Sequence, residues 1–110
     1  MSDAQDLTQA TFDQKVIEGS KTRPVVVDFW AVWCGPCKAM EPMWNEVVAE
    51  YQDRINFFKV NVDEESPISM RFGVMSIPTT IYFKGGKPAG QTVGLVDKSE
   101  LTGHLEKLLG

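Results

Sequence analysis

The sequence predicts an α/β domain in which a mixed sheet is covered by helices on both faces. Three observations carry this. Short β-branched and aromatic runs alternate with amphipathic helical stretches, which implies parallel strands joined by crossovers. Near the end, Lys84-Gly85-Gly86-Lys87 reads as a hairpin turn whose glycines supply positive φ, so an antiparallel edge is added. The 110 residues, 43% apolar and 24% charged, suffice for one core and are too few for two, so residues 1–110 are expected to form a single domain.

In chain order, Thr11-Phe12-Asp13-Gln14 resembles a capping box with Thr11 as N-cap and Gln14 reaching back; Phe12, Val16 and Ile17 follow at helical spacing and Gly19 ends the helix. Val25 to Ala31 is a β-branched and aromatic strand interrupted by Asp28, a carboxylate that burial penalises unless it is paired, hydrogen-bonded or protonated. Lys38 to Tyr51 is a helix with one apolar side (Met40, Met43, Trp44, Val47, Val48, Tyr51) and Pro42 inside it, which is expected to kink it. Ile55 to Val62 is a second strand, and its Lys59 is the candidate partner of Asp28 across the sheet. Ser66-Pro67 starts a short helix through Phe72, stopped by Gly73. Thr80 to Phe83, the hairpin, and Gln91 to Val93 follow, and Gly94 ends the return strand. Asp97 caps a terminal helix with Leu101, Leu105, Leu108 and Leu109 as its stripe.

A net charge of −4 and the lack of a basic run argue against nucleic acid. Met1 to Asp6 is acidic and polar where a secretory signal needs positive charge and then an apolar run, and no segment has the length of a membrane span. The expectation is a cytoplasmic monomer that acts away from membranes. In a reducing compartment, a lone cysteine pair points to catalysis or metal rather than a structural staple.

Both cysteines lie in Trp33-Cys34-Gly35-Pro36-Cys37-Lys38, where a strand ends and a helix begins. A helix start offers unpaired N–H groups and the positive end of the dipole, which stabilise a thiolate. Cysteines spaced i, i+3 around the first turn project to one side, close enough to bond. The arrangement suggests a reversible dithiol/disulfide. A structural zinc site needs about four ligands, whereas the chain supplies two cysteines and the distant His104, so no metal is expected.

On these residues the chain resembles the thioredoxin family. The resemblance runs from about Phe12 to the last helix through Val27-Asp28-Phe29-Trp30-Ala31, the Trp-Cys-Gly-Pro-Cys-Lys motif, Pro42, Lys59, Ile77-Pro78-Thr79, Gly86 and Val93-Gly94. It implies a thioredoxin fold, a central mixed sheet of about five strands flanked by four helices, with a cis peptide bond before Pro78. It implies a protein-disulfide reductase that binds no cofactor, receives electrons from a thioredoxin reductase, and acts on disulfide-containing target proteins. Val32, Trp44 and Leu95 depart from residues common in the family, which bears on target preference rather than on the reaction.

Cys34 is then expected to be the attacking thiolate, on the solvent side of the helix start, and Cys37 the resolving thiol. Asp28 is expected to accept the Cys37 proton through a water, with a pKa raised by burial and modulated by Lys59. A buried ion pair kept for the fold is the competing reading of Asp28 and Lys59. Gly35 and Pro36, with Lys38 beside them, are expected to tune the geometry and stability of the disulfide; Gly-Pro there accompanies reductants in the family, although it also suits a plain turn into a helix. Trp33, Gly35, Pro36, Ile77, Pro78, Val93 and Gly94 are expected to form a flat apolar patch, with the Ile77 backbone pairing with an extended target. Core packing is the rival for Ile77 and Val93. Trp30 is read as support for the site, Trp44 and the five methionines as core filling, and His104 as a surface residue. Two other functions remain open: an oxidase or isomerase on the same fold, which Gly-Pro disfavours, and a binding subunit whose thiols are dispensable.

Overall fold

The computed structural model describes residues 4–110; Met1, Ser2 and Asp3, part of the acidic N-terminal stretch, lie outside the described residues. Its strands are β1 (Gln5–Asp6), β2 (Val25–Trp30), β3 (Asn56–Asn61), β4 (Thr79–Lys84) and β5 (Lys87–Val93). Its helices are α1, which starts at Gln9–Phe12, α2 (Gly35–Tyr51), α3 (Ser66–Arg71) and α4 (Lys98–Leu109). The five strands form one sheet in the order β1-β3-β2-β4-β5. This is the expected mixed sheet with four helices.

β1 pairs with β3 and β3 with β2 in parallel, whereas β4 is antiparallel to both β2 and β5. The alternation of strands and helices suggested that only the terminal hairpin would be antiparallel. The change of direction comes one strand earlier, after α3, where the chain passes through the cis Ile77–Pro78 bond into β4.

The period-two rule sorts the core into two layers. Val25, Val27 and Phe29 of β2 join Phe58, Val60, Ile81 and Phe83 under α1 and α3. On the other face, Val26 joins Phe57 and Tyr82 under α2 and α4, through Trp44, Val47, Leu101 and Leu105. Asp28 and Trp30 share the parity of Val26, so they point under α2. Lys59 shares the parity of Phe57 and does the same.

Several boundaries moved. The first helix is capped by Thr8 rather than Thr11: the Thr8 N–H donates to Thr11 Oγ1 at 3.1 Å, so Thr11 is the residue that reaches back. Gly19 keeps helical angles, and the chain passes through a wide turn at Asp13–Glu18 and a tight one at Gly19–Lys21 before it straightens. α2 begins at Gly35, three residues before Lys38, and runs across Pro42. β5 extends back to Lys87 through Pro88 and Gly90, residues of poor strand propensity that hid its first half. The hairpin glycines have φ of +66° and +87°, as the turn required. No helix among the described residues is long and apolar enough to cross a membrane.

Candidate active site

Cys34 and Cys37 are joined by a disulfide at the start of α2, with Cα atoms 5.3 Å apart. Cys34 is the N-cap residue: its backbone is extended, and its Sγ accepts the Cys37 N–H at 3.1 Å. The sulfur thereby takes the place a serine or aspartate oxygen fills at other helix starts. Negative charge on Cys34 is favoured there by that N–H and by the helix dipole. Pro36 fits the first turn because its missing N–H would have had no partner. A Cβ built on Gly35 meets nothing, and its φ is not left-handed, so the glycine leaves the approach to the sulfurs bare rather than relieving strain.

The exposure of the two cysteines is the reverse of the expectation. Cys34 is 3% exposed and Cys37 half-buried. The Cys34 N–H donates to the Ala31 carbonyl at 3.1 Å, closing a turn between β2 and the helix start. Its candidacy as nucleophile therefore rests on the N-cap position, not on exposure.

Behind the disulfide is a cavity of about 480 Å³ lined by Cys37, Asp28, Trp30, Lys38, Met40, Glu41 and Lys59, with Val32, Trp44 and Pro78 completing the wall. Asp28 Oδ1 is sealed from solvent and has no hydrogen-bond partner. Burial pushes the Asp28 carboxyl up to about 7; the Lys59 charge opposes this and Glu41 adds to it. Asp28 and Lys59 are register partners, as anticipated. The Lys59 ammonium, however, lies 3.9 Å from Asp6 Oδ1 and 5.4 Å from the centre of the Trp30 ring.

In front of the disulfide is the apolar surface. Trp33 is 67% exposed, and its indole N–H donates to Asp63 Oδ2 at 2.8 Å, which fixes the ring to the turn after β3. Val93 is exposed, Gly94 and Ile77 are half-buried, and Gly35 and Pro36 are exposed. Pro78 is buried and walls the cavity, so it is not part of the open surface. The Gly94 N–H donates to the Pro78 carbonyl at 2.7 Å, tying the end of β5 to this segment. Among the described residues, neither the N–H nor the carbonyl of Ile77 has a backbone partner, which suits pairing with an added strand.

Other large apolar side chains are exposed as well: Val32 and Leu95, singled out for target preference, and two methionines read as core filling, Met75 at 95% and Met70 on α3. Met75 lies outside any apolar period, two residues before Ile77, and that position was the available signal. Trp44 is buried as expected, in edge-to-face contact with Phe57. His104 is half-buried and stacks on Tyr82 at 5.2 Å, where a plain surface position was expected.

Comparison with known proteins adds to the geometry. The family model described as Thioredoxin matches residues 3–107. The chain is 43% identical over 109 residues to thioredoxin 1 of Nostoc sp., covering 99% of this chain and 100% of that one. It is 47% identical over 103 residues to the thioredoxin of Alicyclobacillus acidocaldarius, with 94% and 95% covered. It is 43% identical over 108 residues to chloroplastic thioredoxin M2 of Arabidopsis thaliana, covering 98% of this chain and 57% of that one.

Proposed function

The chain belongs to the thioredoxin family and is a thiol–disulfide oxidoreductase that reduces disulfides, and from that premise we propose how its residues divide the work. The whole of residues 1–110 acts as one domain. The Cys34 thiolate attacks one sulfur of a target disulfide, forming a mixed disulfide and expelling the other target sulfur as a thiolate. Asp28 takes the proton of Cys37 through a water in the cavity, and Lys59 modulates it. The Cys37 thiolate then attacks Cys34 Sγ, which forms the Cys34–Cys37 disulfide and releases the second target thiolate. The dithiol loses two electrons and the target gains two.

Gly35, Pro36 and Lys38 tune the pair. Trp33, Val93, Gly94 and the Ile77 backbone hold an extended target, with Pro78 placing the Ile77 segment. No bound cofactor is needed, because a thioredoxin reductase returns the electrons. The protein works as a monomer in the cytoplasm, a reducing compartment in which such a pair can turn over.

The observation that supports this assignment is the Cys34 sulfur at the N-cap, receiving the Cys37 N–H at 3.1 Å, with Cys37 facing the cavity that holds Asp28. The test is equilibration of the pair against a dithiothreitol buffer, read by alkylation of free thiols. A potential near about −270 mV, the value typical of thioredoxins, fits a reductant; one near about −180 to −120 mV assigns the protein to isomerases or oxidants. Full function in the Cys34→Ser/Cys37→Ser protein would point to a binding subunit instead.

A further inference from the structure

Three charged residues form a row across the parallel half of the sheet. Asp6 on β1 is the register partner of Lys59 on β3, and Lys59 is the register partner of Asp28 on β2. Partners in a parallel ladder present their side chains on the same face. The lysine thus stands between two carboxylates of different surroundings. The Asp6 side chain is 72% exposed at the edge of the sheet, that of Lys59 is 15% exposed, and Asp28 Oδ1 is sealed in the cavity. The ammonium is drawn outward, 3.9 Å from Asp6 Oδ1. β1 is held in this register by its backbone, since the Leu7 N–H donates to the Lys59 carbonyl at 2.9 Å.

We propose that Asp6 is a positioning residue for the thiol chemistry: by holding the Lys59 ammonium toward the sheet edge, it sets how much of that charge reaches Asp28 and hence the pH at which Asp28 takes the Cys37 proton. The inference rests on the reading of Asp28 as the proton acceptor. The groups that face Asp28 are Lys59 from β3 and Lys38, Glu41 and Cys37 from α2, while its β4 neighbour is the uncharged Thr80. Lys59 lowers the Asp28 pKa and Glu41 raises it. Lys59 is the member of this set that the structure places in an ion pair with a carboxylate outside the cavity. A carboxylate on that outer side weakens the hold of Lys59 on Asp28. Removing its charge frees the ammonium to turn inward, so the Asp28 titration should move to lower pH.

The experiment is titration of the Asp28 carboxyl carbon by NMR in the oxidised full chain, for the wild type, Asp6→Asn, Asp6→Glu, Lys59→Met and the Asp6→Asn/Lys59→Met double variant. Asp6→Asn is expected to lower the midpoint by roughly 0.3 to 0.7 pH unit, the scale of one largely exposed ion pair. Asp6→Glu should keep the wild-type midpoint, Lys59→Met should raise it, and Asp6→Asn should add nothing in the Lys59→Met background. An unmoved midpoint in Asp6→Asn, or an equal shift with and without Lys59, overturns the role of Asp6. The rate at which Cys37 resolves a preformed mixed disulfide, followed against pH in the wild type and Asp6→Asn, should shift with the midpoint. A rate indifferent to the Asp28 titration overturns the proton-acceptor reading itself, and the two failures are separable because the NMR midpoint is read without turnover.

Discussion

Behind the Cys34–Cys37 disulfide, a cavity gathers four charged residues and two indoles; outside it, at the open front, Trp33, Met75, Val93 and Leu95 stand in solvent. The cavity side is built on β2, β3 and α2, whose positions the core fixes. The front is built on loops at the ends of β2, β4 and β5. The difference matches the division of work proposed above. A proton acceptor needs a carboxyl whose pKa is held up by exclusion of water, and that takes rigid walls. A surface that meets many partners needs apolar area with few fixed polar demands, and loops supply it.

The strongest way to break the comparison is at the disulfide, where the two sides meet. Cys34→Ser should abolish disulfide reduction, whereas Cys37→Ser should still attack but stop at the mixed disulfide. Multiple turnover then falls on the order of a thousandfold or more in both. Non-reducing electrophoresis with a target should show the covalent adduct for Cys37→Ser alone; an adduct with Cys34→Ser would reverse the roles.

Asp28→Asn tests the rear side. With the carboxyl at about 7, the resolving step should accelerate as pH rises through neutrality in the wild type. The variant should lose that rise and resolve about a hundredfold more slowly at pH 8, while the first attack changes little. Identical single-turnover profiles from pH 6 to 9 would end the assignment. Stability offers a second reading of the same group. The native carboxyl binds its proton up to about 7 and the unfolded one releases it near the ordinary 3.8, so native Asp28 holds more protons in between. Stability therefore falls as pH climbs from about 4 to 7, by at most about 4 kcal/mol. Asp28→Asn should remove that slope from denaturant titrations at pH 5 and pH 8.

The front should give smaller and different effects. Trp33→Ala and Met75→Gln are expected to raise KM for a disulfide-bonded protein about three- to tenfold with kcat little changed. Reduction of a small disulfide should be unaffected, and an equal loss on both substrates would place these residues in the chemistry. Smallest of all, Asp63→Asn weakens the hydrogen bond that steadies the Trp33 ring and should change KM about two- to threefold.

The two sides were also unequally legible in the sequence. Asp28 and Lys59 stood out because each is a charge in an apolar strand, which made them candidate partners, and the structure sets them in register. Asp6 did not, since Gln5–Asp6 is a two-residue polar strand with no pattern to read; it becomes ordered sheet because β3 offers a free edge. Thr8 and Thr11 are three residues apart, so either satisfies a cap pattern, and tertiary context selects Thr8. Local signals also could not show that β4 reverses direction, because that depends on where α3 delivers the chain. The surface in front was half legible: Trp33 and Val93 came from the resemblance, while Met75 was assigned by residue type to the core. Side-chain chemistry alone does not report which way a loop faces.

The hairpin lies at the opposite end of β4 and β5 from the Gly94–Pro78 contact. Ser20 clamps it there: the Gly85 N–H donates to the Ser20 carbonyl at 2.8 Å and the Gly86 N–H to its hydroxyl at 2.9 Å, while Lys84 Nζ donates to the Leu108 carbonyl at 2.7 Å. From Lys87 to Val93, β5 spans roughly 20 Å. A dye or bead coupled to the exposed Lys87 amine is therefore seated on a stiff mount one strand length from the Gly94 end of β5, which makes that position a handle for tethering the protein at an electrode or sensor surface.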